Sequence, residues 1–156
     1  MAAPLVEVYR QLTEELQVLR QFVATLQQEQ DALVAGNADP LIDLAERKSA
    51  LADQLTLMGE ARDNALLQAG LSMGKPGMDT WLASVPPPAQ AAWAEFIQLA
   101  TQSRDLNALN GKLIFEKIST NHQALRILTS AGERASLYGP DGQTRIGGSS
   151  RTLGSA

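Results

Sequence analysis

The segment LVEVYRQLTEELQVLRQFVATLQQEQDALVA, from Leu5 to Ala35, decides the fold of this chain. Its apolar residues recur in alternating steps of four and three, interrupted only at Gln30: Leu5, Tyr9, Leu12, Leu16, Leu19, Val23, Leu26 and Leu33. This spacing is the heptad seam of a coiled coil or a long helical bundle. We predict a helix over 5–35 whose seam is buried and whose polar residues, including Glu14 and Glu15, face water.

The segment Gly36–Pro40 predicts the end of this helix and the start of a second one. A glycine can take the left-handed conformation that closes a helix, and Asp39 suits the N-cap of the next. Helix 2 is predicted over 40–69, with a similar apolar pattern that is broken at Lys48 and Arg62. We expect the long aliphatic stems of Lys48 and Arg62 to cover the seam while their charges reach water. The short loop favours an antiparallel hairpin.

The connection from Gly70 to Pro88 is rich in Gly and Pro. Between these breakers we expect a short helical turn, capped by Asp79, with Trp81 and Leu82 holding the connection against the helices.

Helix 3 is predicted from Pro87 or Pro88 to about Ala131. Asn110-Gly111 is a strong hairpin-turn signal, but its flanks keep helical spacing, so we place the glycine inside the helix at a cost of roughly 1 kcal/mol. That cost suggests that a neighbour packs closely at Gly111. The sequence therefore predicts an all-α, coiled-coil-like antiparallel bundle of three long helices, up-down-up, over 1–134, and a flexible Gly/Ser-rich tail over 135–156.

The predicted helix lengths point to an interaction site. At about 1.5 Å per residue, helices 1 and 2 are roughly 45 Å long and helix 3 roughly 65 Å. Helix 3 then projects about 20 Å past the hairpin, over Ile118 to Ala131, and its apolar residues have no helix to cover them. Uncovered apolar surface of this size marks an interaction site, which the tail, a second copy or a client helix could occupy.

Composition limits the function further. The 156 residues carry a formal charge of −4 without a basic stripe, which argues against a nucleic-acid partner. There is no cysteine, no signal-peptide pattern and no apolar run of about 20 residues, so we expect a cytoplasmic chain that is not inserted in the membrane. His122 is the one histidine and is expected to be solvated. No catalytic or metal motif is present, so we expect no enzyme, no metal and no cofactor.

The asparagines of helix 3 and the tyrosine of the predicted tail each allow two interpretations. Asn107, Asn110 and Asn121 lie on one stripe of helix 3, either as a polar layer that sets the register of the core or as groups that face a partner. Tyr138, beside Leu137 in the predicted tail, is either a latch on the bundle or an aromatic that docks in a partner pocket.

Several motifs occur in a characteristic order: Glu46–Leu51, Arg104–Asn107, Asn110–Ile114, Asn121–Leu125, Leu137–Gly139 and Asp141–Gln143. Together they resemble the FlgN-type flagellar export chaperones. The resemblance implies a cytoplasmic chaperone of the flagellar type III export apparatus that binds hook-filament junction proteins and delivers them to the export gate.

The resemblance also assigns residues. The C-terminal part of the long helix would bind the client, through Asn110, Ile114, Ile118, Asn121, Leu125 and Leu128. Leu137 and Tyr138 would dock on the cytoplasmic domain of the export gate. The alternative from the residues alone is a coiled-coil structural or adaptor protein that self-associates, for example as a homodimer, through the seam of helix 1.

Overall fold

The structure, a computed structural model, describes residues 1–135, and the side chains of residues 1–128. This part of the chain folds into four helices: α1 (Ala3–Ala35), α2 (Leu41–Gln68), α3 (Gly74–Leu82) and α4 (Pro87–Ala135). It contains no strand, so the all-α prediction is confirmed for residues 1–135. None of these helices combines the length and the apolar character needed to cross a membrane.

The chain divides into two compact units, Met1–Leu113 and Ile114–Ala156. The first unit contains α1, α2, α3 and residues 87–113 of α4. The second unit contains residues 114–135 of α4. The predicted boundary at residue 134 and the projection of the third long helix past the hairpin both stay predictions.

The core of the first unit is built on the seam of α1, as its heptad spacing predicts. Leu12 and Leu26 are fully buried, and the other seam residues are buried or half-buried. One cluster joins all four helices: Val8, Leu12, Ala65, Leu66, Met78, Trp81, Val85, Ala89 and Trp93. A fully buried leucine contributes on the order of 1.5–3 kcal/mol, so this cluster is a large stabilising term for the unit.

The turn between α1 and α2 is closed by backbone groups. Gly36 has φ 71°, the left-handed conformation expected there, and the amide of Asn37 donates to the carbonyl of Ala32 at 2.9 Å. The prediction that Asp39 caps α2 is wrong, because no side chain caps that helix. The side chain of Asn37 instead accepts a hydrogen bond from the amide of Asp39 at 3.3 Å. This bond stabilises the turn that precedes α2.

Helix α3 occupies the Gly/Pro-rich connection. Trp81 anchors it as predicted, since the indole is fully buried and its Nε1 donates to the carbonyl oxygen of Leu5 at 3.1 Å. The predicted cap by Asp79 is wrong. Asp79 lies inside α3 and pairs with Lys75 at 2.9 Å, whereas Asp63 of α2 accepts a hydrogen bond from the amide of the first residue of α3 at 2.9 Å. The helix starts earlier than predicted, because a proline in its first turn costs no hydrogen bond.

Two helical glycines have opposite surroundings. A Cβ atom on Gly77 would overlap the carbonyl oxygen of Ser72, so the close approach of these backbones requires glycine. A Cβ atom on Gly111 would meet nothing within 4 Å. The prediction that a neighbour packs against Gly111 is therefore wrong, and this glycine only weakens the helix.

We expect Gly111→Ala to raise the free energy of unfolding by up to about 1 kcal/mol, because alanine has the higher helix propensity and nothing obstructs its methyl group. The matched change Gly77→Ala should lower it by about 1–3 kcal/mol through overpacking. Urea denaturation of both variants tests the pair. A destabilised Gly111→Ala would show that α4 has a close neighbour at this position.

Candidate functional site

Two buried polar layers cross the first unit. The Glu15 layer consists of Glu15 on α1, Arg62 on α2, and Trp93 and Phe96 on α4. The Glu29 layer consists of Glu29 on α1, Lys48 on α2 and Asn110 on α4. Each layer places one carboxylate and one cation among apolar neighbours, where an unpaired charge is costly.

In the Glu15 layer, Nε of Arg62 lies 3.1 Å from Oε2 of Glu15, and both side chains are largely buried. The guanidinium also lies over the rings of Trp93 and Phe96, 5.2 Å and 4.8 Å from their centroids. The predictions that Glu15 faces water and that the charge of Arg62 reaches water are therefore wrong. Burial raises the pKa of the Glu15 carboxyl, and the charge of Arg62 opposes that rise.

In the Glu29 layer, Nζ of the half-buried Lys48 lies 3.1 Å and 3.0 Å from the two carboxylate oxygens of Glu29, an ion pair that the sequence analysis did not predict. Asn110 is fully buried. Its Nδ2 donates to Oε1 of Glu29 at 3.0 Å and to the carbonyl oxygen of Leu26 at 2.9 Å. Of the two interpretations of this asparagine, the geometry favours the polar layer inside the core. Its assignment to a client-binding surface is therefore corrected.

The two layers repeat with one spacing. Glu15 and Glu29 are fourteen residues apart on α1, as are Lys48 and Arg62 on α2, and Phe96 and Asn110 on α4. Fourteen residues are two heptads, so each helix returns the same face to the core at both layers. From the Glu15 layer to the Glu29 layer, the residue numbers rise along α1 and α4 and fall along α2. A shift of one helix would separate the partners in both layers at once, so the layers fix the register.

We expect Lys48→Met to lower the free energy of unfolding by roughly 3 kcal/mol, because Glu29 would keep a buried charge without its cation. Combining it with Glu29→Met should restore much of that loss, since an apolar pair can replace a buried ion pair. Lys75→Met, in an exposed pair, should change the stability by less than about 0.5 kcal/mol. Equal effects of Lys48→Met and Lys75→Met in thermal melts would rule out a structural role for the Glu29 layer.

The predicted client-binding residues beyond Asn110 form a continuous exposed line on α4, in the second unit. The exposed fractions are 37% for Ile114, 51% for Ile118, 62% for Leu125 and 69% for Leu128, and Asn121 is also exposed. Their spacing of four, three, four and three places them on one side of the helix. We call these five residues the apolar stripe. Four aliphatic side chains in one line are more than the scattered exposed apolar residues of an ordinary surface.

Other exposed side chains border the apolar stripe. Phe115, 73% exposed, was not among the residues predicted from sequence, although a phenylalanine outside the heptad positions was a usable signal. His122 is exposed and lines a shallow depression with Ile118, Asn121 and Leu125. Within residues 1–128, no three His, Asp or Glu side chains cluster in a way that could hold a metal ion. The predicted docking residues Leu137 and Tyr138 lie outside the described residues.

Comparison with known proteins identifies the family. The family model described as FlgN protein matches residues 5–146, nearly the whole chain. The chain belongs to the FlgN family. The flagella synthesis protein FlgN of Yersinia enterocolitica is 28% identical over 136 residues, which cover 86% of each chain. The flagella synthesis protein FlgN of Proteus mirabilis is 27% identical over 141 residues, 89% of this chain and 90% of that one.

The resemblance seen in the sequence motifs is thus confirmed, and membership of the FlgN family indicates a role in flagellar synthesis. No solved structure matches the chain.

Proposed function

We propose that this chain is a cytoplasmic chaperone of flagellar type III export, which binds hook-filament junction proteins and delivers them to the export gate. One observation carries the proposal. The apolar stripe is exposed in a chain of the FlgN family, at the part of the long helix where the family resemblance expects the client. No bond is made or broken in this function, so it needs binding surfaces and no catalytic group.

The apolar stripe has the chemistry that such a client needs. An amphipathic client segment that is not yet assembled exposes its own apolar face, and each fully buried aliphatic side chain contributes on the order of 1.5–3 kcal/mol. Laying that face along Ile118, Leu125 and Leu128 covers both surfaces at once. The exposed side-chain amide of Asn121, within the stripe, can donate and accept hydrogen bonds that fix the orientation of the client segment.

The first unit would serve as the support. We propose that α1, α2 and α4 run up, down and up, with the Glu15 and Glu29 layers holding the beginning of α4 in one register. A binding surface that continues from an anchored helix loses little conformational entropy when it binds, which favours affinity.

The alternative function, a coiled coil that self-associates through the seam of helix 1, has lost its main support. Leu12, Leu16, Leu19 and Leu26 are already buried within the first unit. A second copy would therefore have to use apolar residues that remain exposed, such as those of the apolar stripe. Sedimentation of the free chain over a range of concentrations separates the two functions.

We expect Leu128→Asp to abolish binding of a purified hook-filament junction protein, because it places a charge in the apolar stripe, while helicity and melting stay nearly unchanged. Ile127→Asp is the matched control. Ile127 is also 69% exposed and differs by one position, but it lies on another side of the helix. It should bind normally in the same titration calorimetry.

Two results would contradict this proposal. If Leu128→Asp unfolds the free chain, the side chain belongs to a core. If both aspartate variants bind the junction protein as well as the parent chain, the apolar stripe is not the client site.

We also expect Tyr138→Ala to leave client affinity unchanged and to reduce flagellar export, because its aromatic ring is proposed to dock on the cytoplasmic domain of the export gate. Tyr138→Phe keeps the ring and should export nearly normally. Secretion assays paired with client binding measure both properties. Loss of client binding in Tyr138→Ala would show that the tyrosine belongs to the client site.

A further inference from the structure

Two positively charged side chains lie to either side of the apolar stripe. Lys117 lies about 60° to one side of the centre of the stripe, and Arg126 lies on the other side, about 120° from the centre and one turn beyond His122. Both side chains are exposed, and neither forms an ion pair with a side chain of residues 1–128. Glu116, the one acidic residue in 114–128, lies at the back of the helix, about 160° from the centre.

The two units also differ in charge. Residues 1–113 contain eight Lys and Arg against fourteen Asp and Glu, a net charge of −6. Residues 114–156 contain five against three, a net charge of +2. The chain as a whole is acidic, yet the apolar stripe lies in its one basic part. A partner segment with carboxylates beside its apolar residues is attracted to this part and repelled by the other.

We propose that the apolar stripe selects an amphipathic helix of the client whose apolar face is bordered by Asp and Glu, with Lys117 and Arg126 as the residues that determine this specificity. The proposal rests on the proposed function and adds the chemistry of the client segment. Apolar contact supplies the affinity, and the charges on the two sides of the stripe fix the register of the client helix and exclude helices whose apolar face is bordered by Lys and Arg.

Other occupants fit the charges less well. Residues 136–156 of this chain contain one Asp and two Arg, so this segment is itself basic. Two copies of the stripe facing each other would bring the same cations together. Two separated cations are also fewer than the cluster of four to eight that attracts an anionic membrane, and fewer than the several contacts of a nucleic-acid site.

The test uses the full chain and a purified hook-filament junction protein. Affinity is measured by titration calorimetry at about 50 mM and about 500 mM salt, because screening weakens exposed charge contacts. We expect Lys117→Glu combined with Arg126→Glu to lower affinity at least ~10-fold at low salt and less than ~3-fold at high salt. Lys117→Gln combined with Arg126→Gln should give an intermediate loss and a weaker salt dependence.

Arg104→Glu is the control, since Arg104 is an exposed arginine on the same helix but in the first unit. It should bind like the parent chain. Circular dichroism confirms that each variant is folded, which the exposure of all three residues favours.

The possible failures are distinguishable. If the parent chain does not bind the junction protein, the proposed function fails and this inference fails with it. If the parent binds and charge reversal changes nothing at either salt concentration, the proposed function stands and the acidic client helix is overturned. The inference is also overturned if charge reversal abolishes a dimer of the free chain while client affinity stays unchanged, because a second copy would then occupy the stripe.

Discussion

The Glu29 layer is the interaction on which the first unit depends. A carboxylate buried between helices needs a cation and hydrogen-bond donors, and here Lys48 and Asn110 supply them. Because these groups come from α1, α2 and α4, their demands are met only when all three helices are in one register. The contact of Asn110 with the carbonyl oxygen of Leu26 adds a second condition on the position of α4. Apolar packing alone would tolerate a slip of one heptad far better.

Helix α4 has two parts with different surroundings, one buried against the other helices and one exposed. Up to Asn110, α4 contributes side chains that the other helices bury, such as Ala89 and Trp93. From Ile114 onward, the described side chains of α4 are exposed or half-buried, and the aliphatic ones form a line. The same heptad pattern thus serves the core in one part of α4 and lines up exposed aliphatic side chains in the next.

Much of this architecture is visible in the sequence. The spacing of leucines predicts α1 and its buried face, the flanks of Asn110-Gly111 predict a continuous α4, and Trp81 is identifiable as an anchor. Uncovered apolar residues over Ile118 to Ala131 were predicted from helix lengths, and Ile118, Leu125 and Leu128 are indeed exposed.

What the sequence did not predict is the pairing of charges inside the unit. Lys48 and Arg62 interrupt the seam of α2, and a long basic side chain at such a position usually reaches water. The signal was the matched spacing: two cations on α2 and two glutamates on α1, each fourteen residues apart. That match becomes informative only once the side-chain contacts between the helices are known. The close approach at Gly77 and the open space at Gly111 likewise depend on tertiary contacts that propensity does not contain.

Hydrogen exchange of the full chain, free and with a bound hook-filament junction protein, tests most directly whether the apolar stripe is the client site. Binding should slow amide exchange in residues 114–128, because a bound segment suppresses local opening there, and should leave α1 and α2 unchanged. If protection rises in α1 and α2 while 114–128 exchange as in the free chain, the client binds elsewhere and the exposed stripe has another purpose.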